Sequence, residues 1–221
     1  MNIIRPTSQK GFNDSDAMLE VLDAVDDDGT KSQRTLAKEM RIALGLTNAY
    51  LKRCIKKGWI KVSAAPARRY IYYLTPAGFS EKARLTAEYL SHSFNIFRVA
   101  REQCDTLIAR CVALGYSKIV LIGASDLAEI ASLSGLNSEI EIIAVLDSRS
   151  NRPTLAGLPV IHSLAEAGAI DAVIITDTSA PQHTYEAYLE EIGDDGRIFV
   201  PPMLRVNRDR NVSKSVEGRH A

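Results

Sequence analysis

SQRTLAKEMRIALGLTNAYLKRCIKKGWIKV, residues 32–62, decides the fold of the first third of this 221-residue chain. Ser32 is a residue type that caps helices, and Leu36, Ala37 and Met40 follow it at helical spacing. After a break of about three residues, Thr47, Leu51, Cys54 and Ile55 fall on one side of a second helix. Leu46, Asn48, Lys52, Arg53 and Lys56 fall on its other side, and Gly58 stops it. WIKV and RRYIYYL then alternate as two strands around the turn SAAPA. Upstream, Met18, Leu19, Leu22 and Val25 mark one more helix, closed by the turn DDDG at 26–29. Three helices and a hairpin in this order predict an α+β winged helix-turn-helix domain over residues 1–80.

Charge points the same way. The chain has 27 basic and 27 acidic residues, yet the basic ones cluster. Between Lys31 and Tyr70 there are eleven Lys and Arg against Glu39 alone, a net +10 that the rest of the chain balances. Such asymmetry suits a polyanion partner, and a helix of this width fits the major groove of double-stranded DNA. On this reading Asn48 offers a donor–acceptor pair to adenine and Leu46 faces the groove. Arg34, Lys52, Arg53, Lys56, Arg68 and Arg69 hold phosphates. The alternative is a winged helix that contacts protein rather than DNA.

The stretch TLAKEMRIALGLTNAYLKRCIKKGWIKV, followed by YIYYLTPAGFSEKARLT, resembles the MarR-type winged-helix transcriptional regulators, in particular those associated with exopolysaccharide gene clusters. The resemblance covers about Thr35 to Glu81 and implies a dimeric, DNA-binding regulator. Arg41 departs from it, because such turns often carry glycine there.

Thr75 and Pro76 open a further helix, read as a connector over residues 81–116. Along it, Leu90, Phe94, Phe97, Ala100, Cys104, Leu107, Cys111 and Leu114 recur with a period close to 3.5 residues. That seam pairs either with its twin in a homodimer or with the chain's own domains. Paired operators favour the homodimer.

From Lys118 the pattern becomes KIVLIG, SDLAEIASLSG, EIEIIAVLD, GLPVI, DAVIITD, TYEAYLEEIG and RIFVP. Apolar strands alternating with helices predict a small α/β Rossmann-like parallel sheet over residues 117–202, covered on both faces. In IGASDLAEIA, Gly123 stands at the first position of a dinucleotide-binding turn, Ser125 at the second and Ala128 at the third. Asp147 ends the second strand, where a ribose-binding carboxylate belongs. Ser125 replaces the glycine that lets backbone approach a pyrophosphate, and Asp126 opposes the positive end of its helix. The turn is therefore either a seat for a nucleotide or nucleotide-sugar, with NAD(H) ranked lower, or a scaffold without a ligand.

The stretch from GASDLAEIA through IIAVLDSRSNRPTLAGLPVIHSL resembles the Rossmann-like domains of nucleotide-sugar acyltransferases and polysaccharide glycosyltransferases. The domain order is similar to that of the Rex redox-sensing repressors, whose glycine fingerprint is fuller. What these likenesses imply is an effector-sensing or assembly domain. The alternative they leave is a nucleotide- or nucleotide-sugar-binding protein or enzyme whose winged helix mediates protein contacts.

Catalysis has little support. His92, His162, His183 and His220 accompany no nucleophile motif, so no enzyme is expected. Cys54, Cys104 and Cys111 have no metal-ligand spacing and read as buried thiols of a reducing compartment. The sequence shows no apolar run of membrane-spanning length and no secretory signal core, so the expected location is the cytoplasm, away from membranes. Residues 203–221 read as a disordered tail.

Overall fold

The computed structural model describes residues 14–65, 69–136 and 138–208. It forms two compact units that divide between Phe94 and Asn95.

The first unit contains α1 (Asp14–Asp27), α2 (Gln33–Met40), α3 (Leu44–Lys56), β1 (Ile60–Ala65), β2 (Arg69–Leu74) and the start of α4 (Pro76–Ala113). Ser32 caps α2 as expected, its Oγ accepting from the Thr35 amide at 3.1 Å. Leu36, Ala37 and Met40 are buried, as are Thr47, Leu51 and Cys54 of α3. Ile60, Tyr72 and Leu85 close the same core. Arg41 takes the left-handed conformation (φ 54°) that glycine usually fills, at a cost of about 1 kcal/mol. The turn after α1 needs Gly29 for a different reason: a Cβ there would lie 2.0 Å from the Tyr72 carbonyl oxygen of β2. The Tyr72 amide also donates to the Gly29 carbonyl at 2.9 Å, so this contact seats β2. β1 and β2 pair antiparallel from Ile60–Leu74 to Ala65–Arg69. Thr75 caps α4 by accepting from the Gly78 amide.

α4 runs unbroken for 38 residues, starting before the expected connector. Its seam divides. Ala100, Cys104, Leu107 and Cys111 are buried in the core of the second unit, whereas Leu90, Phe97 and Leu114 are exposed. From Ala100 to Cys111 the seam packs within the chain, the second of the two readings its period allowed, while the lean to a homodimer contact does not hold for these four residues. Burial pushes all three cysteine thiols up to about 11, consistent with structural thiols.

The second unit holds β3 (Lys118–Ile122), α5 (Asp126–Gly135), β4 (Glu141–Leu146), β5 (Thr154–Leu155), β6 (Leu158–Ile161), β7 (Ala172–Ile175), α6 (Pro181–Ile192) and β8 (Ile198–Phe199). The sheet order is β5-β6-β4-β3-β7-β8, and only β5 is antiparallel. Successive residues of β3 serve opposite faces, as the period of two demands. Ile119 and Leu121 join α4 and α5 on one side, while Val120 and Ile122 join Tyr185 of α6 on the other. The fold is an α+β winged helix-turn-helix, a long helix and a Rossmann-like parallel sheet. The expected tail begins too early at 203. Residues 202–204 form a 3₁₀ turn, and the Asn207 amide donates to Gln182 Oε1 at 2.8 Å. Residues 209–221 lie outside the described ones.

Candidate nucleic-acid interface

α3 sorts its side chains by the residues that hold it. Thr47, Leu51 and Cys54 face the core, which turns Leu46, Ala49, Lys52, Arg53 and Lys56 outward. Arg34 and Lys38 of α2 and Lys61 of β1 are exposed in the same unit. Arg68 lies outside the described residues. Arg69 opens β2 opposite Ala65 by its backbone.

Two expectations change here. Asn48 is half-buried, and its Oδ1 is enclosed without a hydrogen-bond partner among the described residues. In this conformation the amide oxygen is not presented on the outer face of α3, so the donor–acceptor pair is not laid out for a base edge. Arg53 has an acidic neighbour from outside the basic segment, its Nη1 donating to Asp14 Oδ2 at 2.5 Å. The guanidinium, with the Tyr50 hydroxyl, holds the Asp14 carboxyl below its ordinary range. Lys31 is likewise held, 2.7 Å from Asp27 and 3.1 Å from Glu39. Counting +10 within one stretch of sequence missed the acids that α1 brings to it. Arg34, Lys52 and Lys56 remain as exposed cations.

A second place where function was expected is the crevice beyond the carboxyl ends of β3 and β7. The parallel strands run 3-2-1-4-5 in order of sequence, so this is the topological switch point where such sheets take ligands. Gly123, Ser125, Ala128 and Asp147 all sit around it, but each is engaged by the protein. Gly123 has φ 109°, and a Cβ there would lie 2.5 Å from the backbone nitrogen and Cα of Asp177. Ser125 Oγ donates to the Thr176 carbonyl at 2.6 Å and accepts from the Leu127 amide at 3.1 Å. Thr176 Oγ1 returns a bond to the Gly123 carbonyl at 2.8 Å. Ala128 is fully buried in the core. Asp147 accepts from the Ala124 amide at 3.1 Å and the Arg149 amide at 2.9 Å.

These bonds stitch the β3–α5 turn to the β7–α6 turn, where a pyrophosphate would need open backbone amides. Asp126 is exposed at the start of α5. Arg149, the cation beside the crevice, reaches Asp177 at 3.4 Å and Asp147 at 3.8 Å. The residues present do not fit a dinucleotide pyrophosphate. His162 and His183 are exposed nearby in sequence, with His162 Nδ1 3.1 Å from the Asp147 carbonyl oxygen. A recess of about 340 Å³ lies elsewhere, between the end of α5 and the β5–β6 hairpin, and is lined by Leu133, Leu136, Ile140, Ile142 and Leu158.

Asp177 is the residue that sequence reading passed over, although TDTSAPQ places an acidic residue before a helix. It is 4% exposed. Burial would raise its carboxyl, but the Thr184 hydroxyl, the Ser179 and Ala180 amides and Arg149 outweigh burial and lower it. A carboxyl lowered on folding contributes stability above its unfolded range near 4, lost as pH falls through the folded value. Asp177→Asn should therefore be less stable than wild type by about 1–3 kcal/mol at pH 7. Urea denaturation should show that gap closing below about pH 4, and a constant gap would contradict the linkage.

Residues 15–61 match a family described as winged helix-turn-helix DNA-binding. No curated protein matches the chain. Among solved structures, the chain is similar to a point mutant of S. aureus MepR bound to an oligodeoxyribonucleotide, at 21% identity and a TM-score of 0.32. That match covers 38% of this chain and 62% of the MepR chain. A second is the zinc-dependent MarR family regulator AdcR in its Zn(II)-bound state, at 17% identity, TM-score 0.32, covering 45% of this chain and 68% of that one. A third is the O-methyltransferase NcsB1 of neocarzinostatin biosynthesis, at 14% identity, TM-score 0.25, covering 85% and 62%. Scores this low add nothing to what the strand order and helix packing establish. Among the described residues, no helix is long and apolar enough to cross a membrane. The matched residues are those that form α1, α2, α3 and the start of β1, so the family match and the observed winged helix-turn-helix fold coincide over 15–61.

Proposed function

We propose that this protein is a dimeric, DNA-binding transcriptional regulator acting in the cytoplasm. The observation that carries the proposal is the outward face of α3, where exposed Leu46, Lys52 and Lys56 ride on a helix held by Thr47, Leu51 and Cys54. Polysaccharide-related genes are the proposed targets on the resemblance of residues 35–81 alone. Dimerisation is supported by the middle of α4, where Ile96, Phe97 and Val99 point in different directions and are each more than a third exposed. Apolar side chains exposed side by side on a helix are a surface that a partner ordinarily covers. Binding should weaken steeply with salt, because about four phosphate contacts per protomer give a log–log slope near −4 per half-site. Phe97→Asp should yield monomers with lower operator affinity, since two half-sites no longer bind as one unit. Salt-insensitive binding, or a wild type that light scattering finds monomeric, would contradict these two statements respectively.

The α/β unit is proposed as an assembly or sensing module whose switch-point turn is scaffold rather than a phosphate seat. It is not proposed to be catalytic. A thermal-shift screen with NAD(H), nucleotides and nucleotide-sugars should leave the melting temperature unchanged. A bound ligand at a hundred times its dissociation constant would add about 2.7 kcal/mol and be plain to see.

A further inference from the structure

We infer that the recognition helix α3 reads thymine through its 5-methyl group, by apolar contact from Leu46, rather than adenine by a side-chain amide. This rests on the proposed DNA binding and says how that surface selects sequence. The N-terminal residues of a recognition helix are the ones that meet base edges in the major groove. On α3 those residues are apolar: Leu44 is 41% exposed, Leu46 is 46% exposed, and Ala49 lies one turn beyond Leu46 on the outer side. The residue between them that could read a base by hydrogen bonds, Asn48, has its Oδ1 enclosed. Thr47 is fully buried, with its hydroxyl donated to the Ala43 carbonyl at 3.3 Å.

What the N-terminal half of α3 offers a groove is therefore hydrocarbon. The C-terminal half offers Lys52 and Lys56, which suit the phosphates on the groove's rims. This charge arrangement commits the leucines to duplex DNA as occupant, because the helix that presents them is flanked by cations. In the major groove the complementary apolar group is the thymine methyl. A leucine makes the contact without a directional bond, so it selects thymine over cytosine by shape and dryness.

The test uses the full-length protein and a duplex enriched by it from a genomic library. Its affinity is compared with the same duplex carrying deoxyuridine for thymidine, with 7-deazaadenine for adenine, and with a scrambled sequence. Loss of one buried methyl contact corresponds to a roughly fourfold loss of affinity. Wild type should lose at least that on deoxyuridine and nothing on 7-deazaadenine. Leu46→Ala should bind the thymidine and deoxyuridine forms equally, while Leu46→Met, which keeps an apolar contact, should still tell them apart. Equal wild-type affinity for thymidine and deoxyuridine duplexes, with the scrambled duplex still rejected, would overturn the inference and leave DNA recognition standing. Failure to prefer any duplex over the scrambled one would overturn the regulator reading itself.

Discussion

Gly123→Ala will destabilise the α/β unit by about 3 kcal/mol, the sum of left-handed backbone strain and overpacking at a site that cannot relax. A Cβ on Gly123 would meet the Asp177 backbone at 2.5 Å, and that backbone is fixed. The Asp177 amide donates to the Ile122 carbonyl at 2.9 Å, and its carboxylate accepts from the Ser179 amide before α6 and the Thr184 hydroxyl within it. Making room would pull β7 from β3 at the centre of the sheet. Chemical denaturation followed by far-UV circular dichroism should show the loss with no ligand present. That condition matters, because a glycine kept for a bound pyrophosphate would tolerate alanine in the unliganded protein. A loss below about 1 kcal/mol would mean that the two turns part readily.

Lys52→Glu combined with Lys56→Glu will weaken DNA binding on the order of 100-fold at moderate salt, since two phosphate contacts become two repulsions. The log–log salt slope should also fall in magnitude by about two per half-site. Both side chains are exposed on α3, so folding should be untouched. Arg53→Glu should cost less than either lysine reversal, because Asp14 already occupies its guanidinium. Filter binding or fluorescence anisotropy across a salt series separates the two effects. Unchanged affinity in the double variant would place the DNA surface elsewhere or remove it.

The elements of both units were legible because their signals are local. Ser32 three residues before Thr35, the spacing of Leu36, Ala37 and Met40, and the β-branched run of KIVLI each depend on neighbours in sequence. What sequence hid was a matter of partners. The period of Ala100, Cys104, Leu107 and Cys111 is the same whether a helix packs on a twin or on its own sheet. Asn48 reads as a groove residue by helical position, yet the enclosure of its Oδ1 depends on what folds around the helix. Asp14 and Asp177 lie far in sequence from Arg53 and Gly123, and only folding sets carboxylate against guanidinium or backbone against glycine. The glycine pattern of IGASDLAEIA was visible, but what pressed on it was not.

The division of α4 bears on modularity. A chain assembled from two portable parts would be expected to carry its junction in a loop, where either part could be cut away and still close its own core. Here a cut at the sequence-based boundary, before residue 117, would strip Ala100, Cys104, Leu107, Ile108 and Cys111 from beneath Ile119 and Leu121. The released α/β fragment would present one bare apolar face of its sheet to water and so be prone to aggregate. The compact α/β unit therefore begins near Asn95, inside a helix, and a fragment meant to fold by itself should be cut there rather than at the loop before β3.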